Sequence, residues 1–165
     1  MSITVIDVFN ALCFIFPAYC ANAAPVIFGG GRPIDAGKTF SDGRPILGSH
    51  KTFQGFFFGL FIGTAVGFAL NALLQYNILL GFMLSLGALV GDLAKSFIKR
   101  RMNRAPGSPL PIADQLDFIL GALLLSLPVS PPPLLSVVII IIVTPPIHLI
   151  TNFLAHLMGL KKSLW

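Results

Sequence analysis

Long apolar stretches constrain the fold of this chain more than any other feature of its sequence. They cover approximately residues 3–28, 53–74, 78–98, 112–127 and 134–158. A membrane-spanning helix needs about 20 mostly apolar residues, and only 10% of the chain is charged, against roughly 25% in soluble domains. The sequence therefore predicts an all-α polytopic membrane protein, in which five transmembrane helices form a single membrane-embedded domain over residues 1–165.

The basic residues predict how these helices are oriented. All eleven lie after the first stretch, around the end of the third, or in the tail: Arg32, Lys38, Arg44, Lys51, Lys95, Lys99, Arg100, Arg101, Arg104, Lys161 and Lys162. Basic residues in short loops mark the cytoplasmic face. We therefore expect a multi-pass protein of the cell membrane with its N-terminus outside, its C-terminus cytoplasmic and two functional cytoplasmic loops, about 29–52 and 99–111. Because the cations lie beside apolar segments, we expect no nucleic-acid partner.

Small residues on the second stretch predict close helix packing. Gly59, Gly63 and Gly67 recur at intervals of four, so they share one helix face. Such a face lets two helix backbones approach closely in a membrane. The contact is expected either within the bundle or between the subunits of a homodimer.

The first loop has the composition of a phosphate-binding segment. Between residues 29 and 55 it combines glycines with four spaced cations, and the dipeptide Lys-Thr occurs twice, as Lys38-Thr39 and Lys51-Thr52. Phosphates favour backbone N–H groups, hydroxyls and cationic side chains. The loop is not a P-loop, because Arg32 fills the first glycine position of that motif. The alternative is a basic loop that only enforces membrane topology.

Carboxylates near the second loop predict a magnesium site. The residues that share a face on the third helix are Asp92, Lys95, Ser96 and Lys99, and those at the start of the fourth are Asp114 and Asp117. Carboxylates within membrane segments are costly and usually face an interior or watered cavity. Mg²⁺ commonly takes one or two carboxylates together with substrate phosphates. The alternative is that these carboxylates form boundary ion pairs or helix caps, a role that suits Asp114 near a helix start.

The same residues resemble the signature of the CDP-diacylglycerol synthases. The matching elements are Gly91-Asp92, Lys95-Ser96, Lys99-Arg100, Pro106-Gly107, Asp114 and Asp117. The smaller archaeal relatives of that family, the CDP-archaeol synthases, are similar along the whole chain. They share Pro17-Ala18-Tyr19, the segment 21–25, and the loop positions Asp35, Gly37-Lys38-Thr39, Gly48, Lys51-Thr52 and Gly55. The chain departs from the larger signature at 108–110, where Ser-Pro-Leu replaces His-Gly-Gly, and at Gln115.

The resemblance implies an enzyme that transfers CMP from CTP to a geranylgeranylated glyceryl phosphate and releases pyrophosphate. Its implied partners are CTP, the lipid phosphate and membrane lipid, its implied cofactor is Mg²⁺, and its active site faces the cytoplasm. The implied catalytic residues are Asp92, Asp114, Asp117, Lys95 and Lys99, with the three aspartates as metal ligands. The implied CTP-binding residues are Asn22, Lys38, Thr39, Arg44, Lys51, Thr52, Gly55, Ser96 and Arg100.

Other functions fit the sequence less well. No HExxH, Cys/His cluster or GxSxG motif occurs, which gives little support to zinc enzymes and hydrolases. A CDP-alcohol phosphotransferase would have its last two aspartates four apart, whereas Asp114 and Asp117 are three apart. A small membrane transporter or assembly subunit stays the alternative, although transporters tend to place charges at the midplane and to contain inverted repeats.

Overall fold

The computed structural model describes residues 3–104, 108, 110 and 112–160, and the regular secondary structure within this range is helical. The elements are α1 (Val5–Phe28), α2 (Phe53–Leu74), α3 (Ile78–Arg101), α4 (Ala113–Ser126) and α5 (Leu134–Leu157). The described part of the chain forms no β-strand, only two isolated bridges in the first loop, Pro33 with Thr52 and Thr39 with Pro45. The all-α prediction is therefore confirmed. Pro106-Gly107 of the signature and the basic tail residues Lys161 and Lys162 lie outside the described residues.

Four of the five described helices, α1, α2, α3 and α5, are long and apolar enough to cross a membrane. They contain 22 to 24 residues. Helix α4 has 14 residues, so at about 1.5 Å per residue it is about 21 Å long, shorter than the hydrocarbon core of about 30 Å. The multi-pass architecture is confirmed, whereas the fifth span and the orientation in the membrane stay predictions.

Side-chain caps explain where three helices begin. The Thr4 hydroxyl accepts from the Asp7 N–H, and the Asp7 carboxylate accepts from the Thr4 N–H, which is a capping box at the start of α1. The Thr52 hydroxyl accepts from the Gly55 N–H at the start of α2, and the Asn77 side chain accepts from the Leu79 N–H at the start of α3. These bonds satisfy backbone donors that have no partner within the helix.

Prolines lie inside two of the membrane helices without ending them. Pro17 and Pro25 lie within α1, and Pro145 and Pro146 lie within α5. Next to them, the buried Thr144 hydroxyl lies 2.6 Å from the Ile140 carbonyl oxygen, to which it donates, and 2.8 Å from the Tyr19 hydroxyl. The hydrogen bond between α1 and α5 gives the Tyr19 and Thr144 hydroxyls a partner inside the bundle.

Glycines set the distance between α2 and its neighbours. Its buried residues are Gly55, Gly59, Gly63 and Gly67. A Cβ atom on Gly63 would lie 2.7 Å from the Pro17 carbonyl oxygen, and one on Gly67 would lie 2.3 Å from the Gly81 Cα atom. The glycine face of α2 therefore packs within the bundle, against α1 and α3. Of the two contacts expected for this face, the one inside the bundle is confirmed.

A second glycine contact joins α3 to α4. A Cβ atom on Gly121 would lie 2.2 Å from the Gly87 carbonyl oxygen, and one on Gly91 would lie 2.4 Å from the Asp117 carbonyl oxygen. The two backbones touch at these positions because each glycine has only a hydrogen atom where other residues have a side chain. Directly behind the contact, Phe118 and Ile119 are buried in the core. This close approach brings the carboxylates of α4 to the charged face of α3.

Candidate active site

Three carboxylates from two helices surround one ammonium group. The Lys95 Nζ atom lies 3.2 Å from Asp92 Oδ1, 3.3 Å from Asp114 Oδ1 and 2.8 Å from Asp117 Oδ2. Asp92 and Lys95 are one turn apart on α3, and Asp114 and Asp117 are one turn apart on α4. The structure thus brings together the two groups of acidic residues that the sequence places on separate helix faces.

Two more lysines extend this arrangement into a charged cluster. Lys51 from the first loop pairs with Asp92. The Lys99 Nζ atom lies 2.8 Å and 2.9 Å from the two Asp114 oxygens, and the Leu110 N–H donates to Asp114 Oδ2 at 2.7 Å. We call the six side chains of Lys51, Asp92, Lys95, Lys99, Asp114 and Asp117 the charged cluster. Its three positive and three negative charges offset one another, as charges away from water require.

Asp117 is the least satisfied member of the charged cluster. Its side chain is 8% exposed, and neither carboxylate oxygen has a hydrogen-bond partner among the described residues. Its charge partner is Lys95, whose Nζ atom lies 2.8 Å from Asp117 Oδ2. A buried carboxylate without hydrogen bonds is costly, and such groups concentrate at functional sites.

The donor chemistry of the cluster suits a hard cation. Three aspartates supply carboxylate oxygens, the ligands that Mg²⁺ prefers, and the Lys95 ammonium stands in for a cation where they converge. As the side chains stand, no three acidic, histidine or cysteine residues within the described ranges form a ready metal-ligand group. Binding of an ion among the three aspartates would therefore require Lys95 to move toward another anion, such as a phosphate.

Some hydroxyls and glycines predicted to bind CTP have structural roles. The Thr52 hydroxyl caps α2 and also accepts from the Gly30 N–H at 3.4 Å. The Ser96 hydroxyl donates to the Asp92 carbonyl oxygen at 2.8 Å and is buried. Gly55 allows α1 and α2 to approach closely, since a Cβ atom there would lie 3.2 Å from Pro25 Cβ. These residues shape the site through the backbone.

The remaining predicted CTP-binding residues lie on the first loop, on α1 and near the end of α3. Lys38 and Thr39 are exposed on the first loop, and Asn22 is half-buried on α1. Arg100 is buried near the end of α3. The Arg44 guanidinium donates to the Arg101 carbonyl oxygen at the end of the same helix. Among the described residues no ion pair joins Lys38 or Arg44 to a cluster carboxylate, so their contacts with CTP stay predictions.

Asp35 organises the first loop, a role that the residue patterns alone did not predict. Its buried carboxylate accepts from the N–H groups of Gly37 at 3.0 Å, Leu47 at 2.9 Å and Gly48 at 2.8 Å. Burial by itself would raise the pKa of Asp35, but these backbone hydrogen bonds hold the pKa below its ordinary value. The available signal was Asp35-Ala36-Gly37, since Asp commonly accepts from a backbone N–H two residues on in turns.

We expect Asp35→Asn to unfold the first loop locally while the helices stay folded. An amide offers one oxygen instead of two and places N–H donors against backbone donors, so the loop should lose about 1–3 kcal/mol of local stability. Hydrogen exchange at Leu47 and Gly48 should accelerate, while exchange within α1 and α3 should not. Unchanged exchange at both loop amides would show that the carboxylate does not hold the loop.

A cleft lies beside the charged cluster, where the first loop meets the helices. Its lining residues are Pro25, Ile34, His50, Lys51, Thr52, Gly55, Phe56, Leu89, Asp92 and Leu93. The charged side chains of this lining are Lys51 and Asp92, and its larger apolar side chains include Phe56, Leu89 and Leu93. The cleft thus brings charged and apolar groups together.

Comparison with known proteins identifies the family. A family model described as CarS-like, CDP-archaeol synthase, matches residues 3–165. The chain belongs to this family. The resemblance seen in the sequence is thereby confirmed over nearly the whole chain.

Individual relatives agree with this assignment. A CDP-archaeol synthase of Methanococcus aeolicus is 44% identical over 172 residues, covering 96% of this chain and 97% of that protein. One of Pyrococcus horikoshii is 47% identical over 168 residues, covering 94% and 96%. A solved structure of an intramembrane enzyme for archaeal membrane lipids biosynthesis has a TM-score of 0.81 and 39% identity, covering 88% of this chain and 94% of that one. The fold and the multi-pass membrane architecture are thus shared with a solved relative.

Proposed function

We propose that this chain transfers CMP from CTP to an unsaturated archaeal ether-lipid phosphate, a geranylgeranylated glyceryl phosphate, and releases pyrophosphate. The product is a lipid of the CDP-archaeol type, as the names of the relatives indicate. The single observation that carries the proposal is the charged cluster, in which Asp92, Asp114 and Asp117 converge on Lys95. Phosphoryl-group chemistry requires such a site, because its catalysis is mostly positioning and charge stabilisation.

The reaction requires no general base from the protein. An oxygen of the lipid phosphate attacks the α-phosphorus of CTP, and the bond from that phosphorus to the oxygen of the β-phosphate breaks. The lipid phosphate is already an anion, so the protein must align it and neutralise the leaving pyrophosphate. Lys51, Lys95 and Lys99 are suited to this, since each ammonium now paired with a carboxylate can pair with a phosphate oxygen instead.

Asp92, Asp114 and Asp117 are the residues that would hold Mg²⁺. When bound there, the ion would offset negative charge on the CTP phosphates. We propose that Lys38, Arg44 and Arg100 add positive charge along the triphosphate and that Asn22 contacts the base or ribose. Because these groups lie on the basic side of the chain, the active site is proposed to face the cytoplasm, with α4 completing five spans.

The cleft beside Lys51 supports a lipid phosphate as the acceptor. Its lining combines the charged Lys51 and Asp92 with the apolar Phe56, Leu89 and Leu93. A phosphate joined to lipid chains likewise has a charged and an apolar part.

Pyrophosphate release by the purified protein in detergent tests the proposal. With CTP, Mg²⁺ and a geranylgeranylated glyceryl phosphate, we expect turnover that stops when either the nucleotide or the lipid phosphate is left out. A parallel reaction with an acyl phosphatidate measures the preference for ether lipid. A folded sample that turns over neither lipid would exclude the proposed enzyme and favour the transporter or assembly subunit.

A further inference from the structure

Arg101 ends α3 and lies against the tip of the first loop, which we define as residues 40–45. Its guanidinium pairs with the Asp42 carboxylate and donates to the carbonyl oxygens of Arg44, at 3.3 Å, and Pro45. In return, the Arg44 guanidinium donates to the Arg101 carbonyl oxygen. The two arginines thus join the loop tip to α3 in both directions.

Two aromatic rings complete this contact. The Arg101 Cζ atom lies 4.8 Å from the centre of the Phe40 ring and 5.0 Å from the centre of the Phe97 ring. The rings themselves meet edge to face with centres 5.4 Å apart. Phe40 belongs to the loop tip and Phe97 to α3, so the guanidinium is held between the two elements that it connects.

The loop tip is a compact unit that a single anchor can position. The Phe40 N–H donates to the Arg44 carbonyl oxygen at 2.8 Å, and the Gly43 N–H donates to the Phe40 carbonyl oxygen at 2.9 Å. The Asp42 carboxylate accepts from the Arg44 N–H at 3.1 Å. Gly43 has a φ of +75°, which a side chain would strain. Because these bonds make the tip one turn, fixing its outer face fixes its orientation.

We infer that Arg101 is a positioning residue. It docks the loop tip on α3 and so holds the first loop, which is proposed to bind CTP, beside the charged cluster. This inference rests on the proposed function, because it assigns the first loop to CTP. Arg101 itself pairs with Asp42 and makes no ion pair with a cluster carboxylate in the part of the chain that the structure describes. Two residues before it, Lys99 pairs with Asp114, so the loop is fixed to the segment of α3 that carries the site.

The chemistry of the contact requires arginine rather than any cation. A guanidinium is planar, donates through a fork and stacks on rings, whereas an ammonium is a point charge. Arg101→Lys should keep the pair with Asp42 but lose the fork and the stacking. Asp42→Asn should instead keep the fork and the stacking but lose the charge pair. Because Asp42 is exposed, we expect the effect of Asp42→Asn to be the smaller of the two.

Trypsin cleavage measures docking of the tip without any need for turnover. Within the first loop trypsin can cut after Lys38 and Lys51, since Arg32 and Arg44 both precede proline. We expect Arg101→Lys to accelerate cleavage at Lys38-Thr39 about tenfold, the factor for losing roughly one charge-assisted hydrogen bond. The matched control is Arg104→Lys, the same change at an exposed arginine three residues further along the chain.

Kinetics separate positioning from a general structural effect. For Arg101→Lys we expect the KM for CTP to rise about tenfold, with the KM for the lipid phosphate and the melting temperature unchanged. Arg101→Met should raise the KM for CTP further, so that lysine restores part of the loss. Equal cleavage rates in Arg101→Lys and wild type would overturn the inference, and so would a parallel rise of both KM values with a lower melting temperature.

The two proposals fail in different ways. A wild-type protein that does not turn over CTP would overturn the proposed function and the link between Arg101 and the nucleotide. The cleavage rates at Lys38-Thr39 would still decide whether Arg101 docks the loop tip. Normal turnover with unchanged cleavage and an unchanged KM for CTP in Arg101→Lys would overturn only the role of Arg101.

Discussion

Replacing Asp117 by asparagine is expected to lower the kcat for CTP-dependent pyrophosphate release by at least about 100-fold, the usual scale for losing one group that stabilises transition-state charge. Asp117 is the buried carboxylate whose two oxygens have no hydrogen-bond partner among the described residues. Asparagine keeps the shape of the side chain but removes the charge that would help to hold Mg²⁺. Initial rates at saturating CTP and lipid phosphate measure the effect.

The same substitution should not destabilise the protein. A neutral amide costs less to bury than an unsatisfied carboxylate, and Lys95 keeps Asp92 and Asp114 as partners. We therefore expect the melting temperature of Asp117→Asn in detergent to stay the same or to rise. Loss of activity with retained stability is the pattern of a functional group, because such groups are often kept at a cost in stability.

A matched carboxylate controls for charge removal in general. Asp7 lies at the other end of α1 from the first loop and caps that helix, so Asp7→Asn should leave turnover unchanged. Asp114→Asn should behave like Asp117→Asn in activity, although it also weakens the pair with Lys99. Wild-type turnover in both Asp114→Asn and Asp117→Asn would show that the charged cluster is not the active site.

Replacing Gly121 by alanine is expected to destabilise the bundle by about 1–3 kcal/mol, as overpacking commonly does. The added Cβ atom would lie 2.2 Å from the Gly87 carbonyl oxygen. The position of the Cβ atom is fixed by its own backbone and the oxygen is a backbone atom, so neither can turn away and the helices must separate. Because α4 carries Asp114 and Asp117, turnover should fall as well, which thermal unfolding in detergent and pyrophosphate release together measure.

An alanine on the lipid-facing side of α2 provides the control for added volume. Ala69 is exposed, so Ala69→Val adds two carbon atoms where no neighbouring helix stands in the way. We expect its melting temperature and turnover to match those of the wild type. A Gly121→Ala protein with the melting temperature and turnover of the wild type would contradict the close contact between α3 and α4.

Ion pairing explains how six charged side chains can lie within so apolar a bundle. Each carboxylate has at least one ammonium within ion-pair distance, and Asp92 and Asp114 each have two. Such pairs offset much of the cost of removing charges from water. They also leave the site ready to exchange one anion for another, because a phosphate oxygen can replace a carboxylate beside each lysine.

Sequence alone was sufficient for the helices and for the family. Each apolar stretch became a helix whose ends differ by three residues or fewer from the expected bounds, as with α3, which ends at Arg101 rather than residue 98. Apolar length and helical spacing are local properties, so they can be read along the chain. Helix faces can be predicted in the same way. Asp92 shares a face with Lys95, and Asp114 shares one with Asp117, because residues three apart are neighbours on any helix.

Only the tertiary structure decided which faces meet. Helical spacing does not tell which side of α4 packs on α3, so the convergence of Asp117 with Asp92 on Lys95 could not be derived from the sequence. The same applies to Thr52 and Ser96, since a hydroxyl can bind a phosphate or instead bond to the helix backbone, as Thr52 does with the Gly55 N–H and Ser96 with the Asp92 carbonyl oxygen. Asp35 and Arg101 received no role because Leu47 and Gly48, which donate to Asp35, and Asp42, which pairs with Arg101, lie 12 or more residues away in the chain. Such contacts depend on how the loop closes over the helices, which local chemistry does not determine.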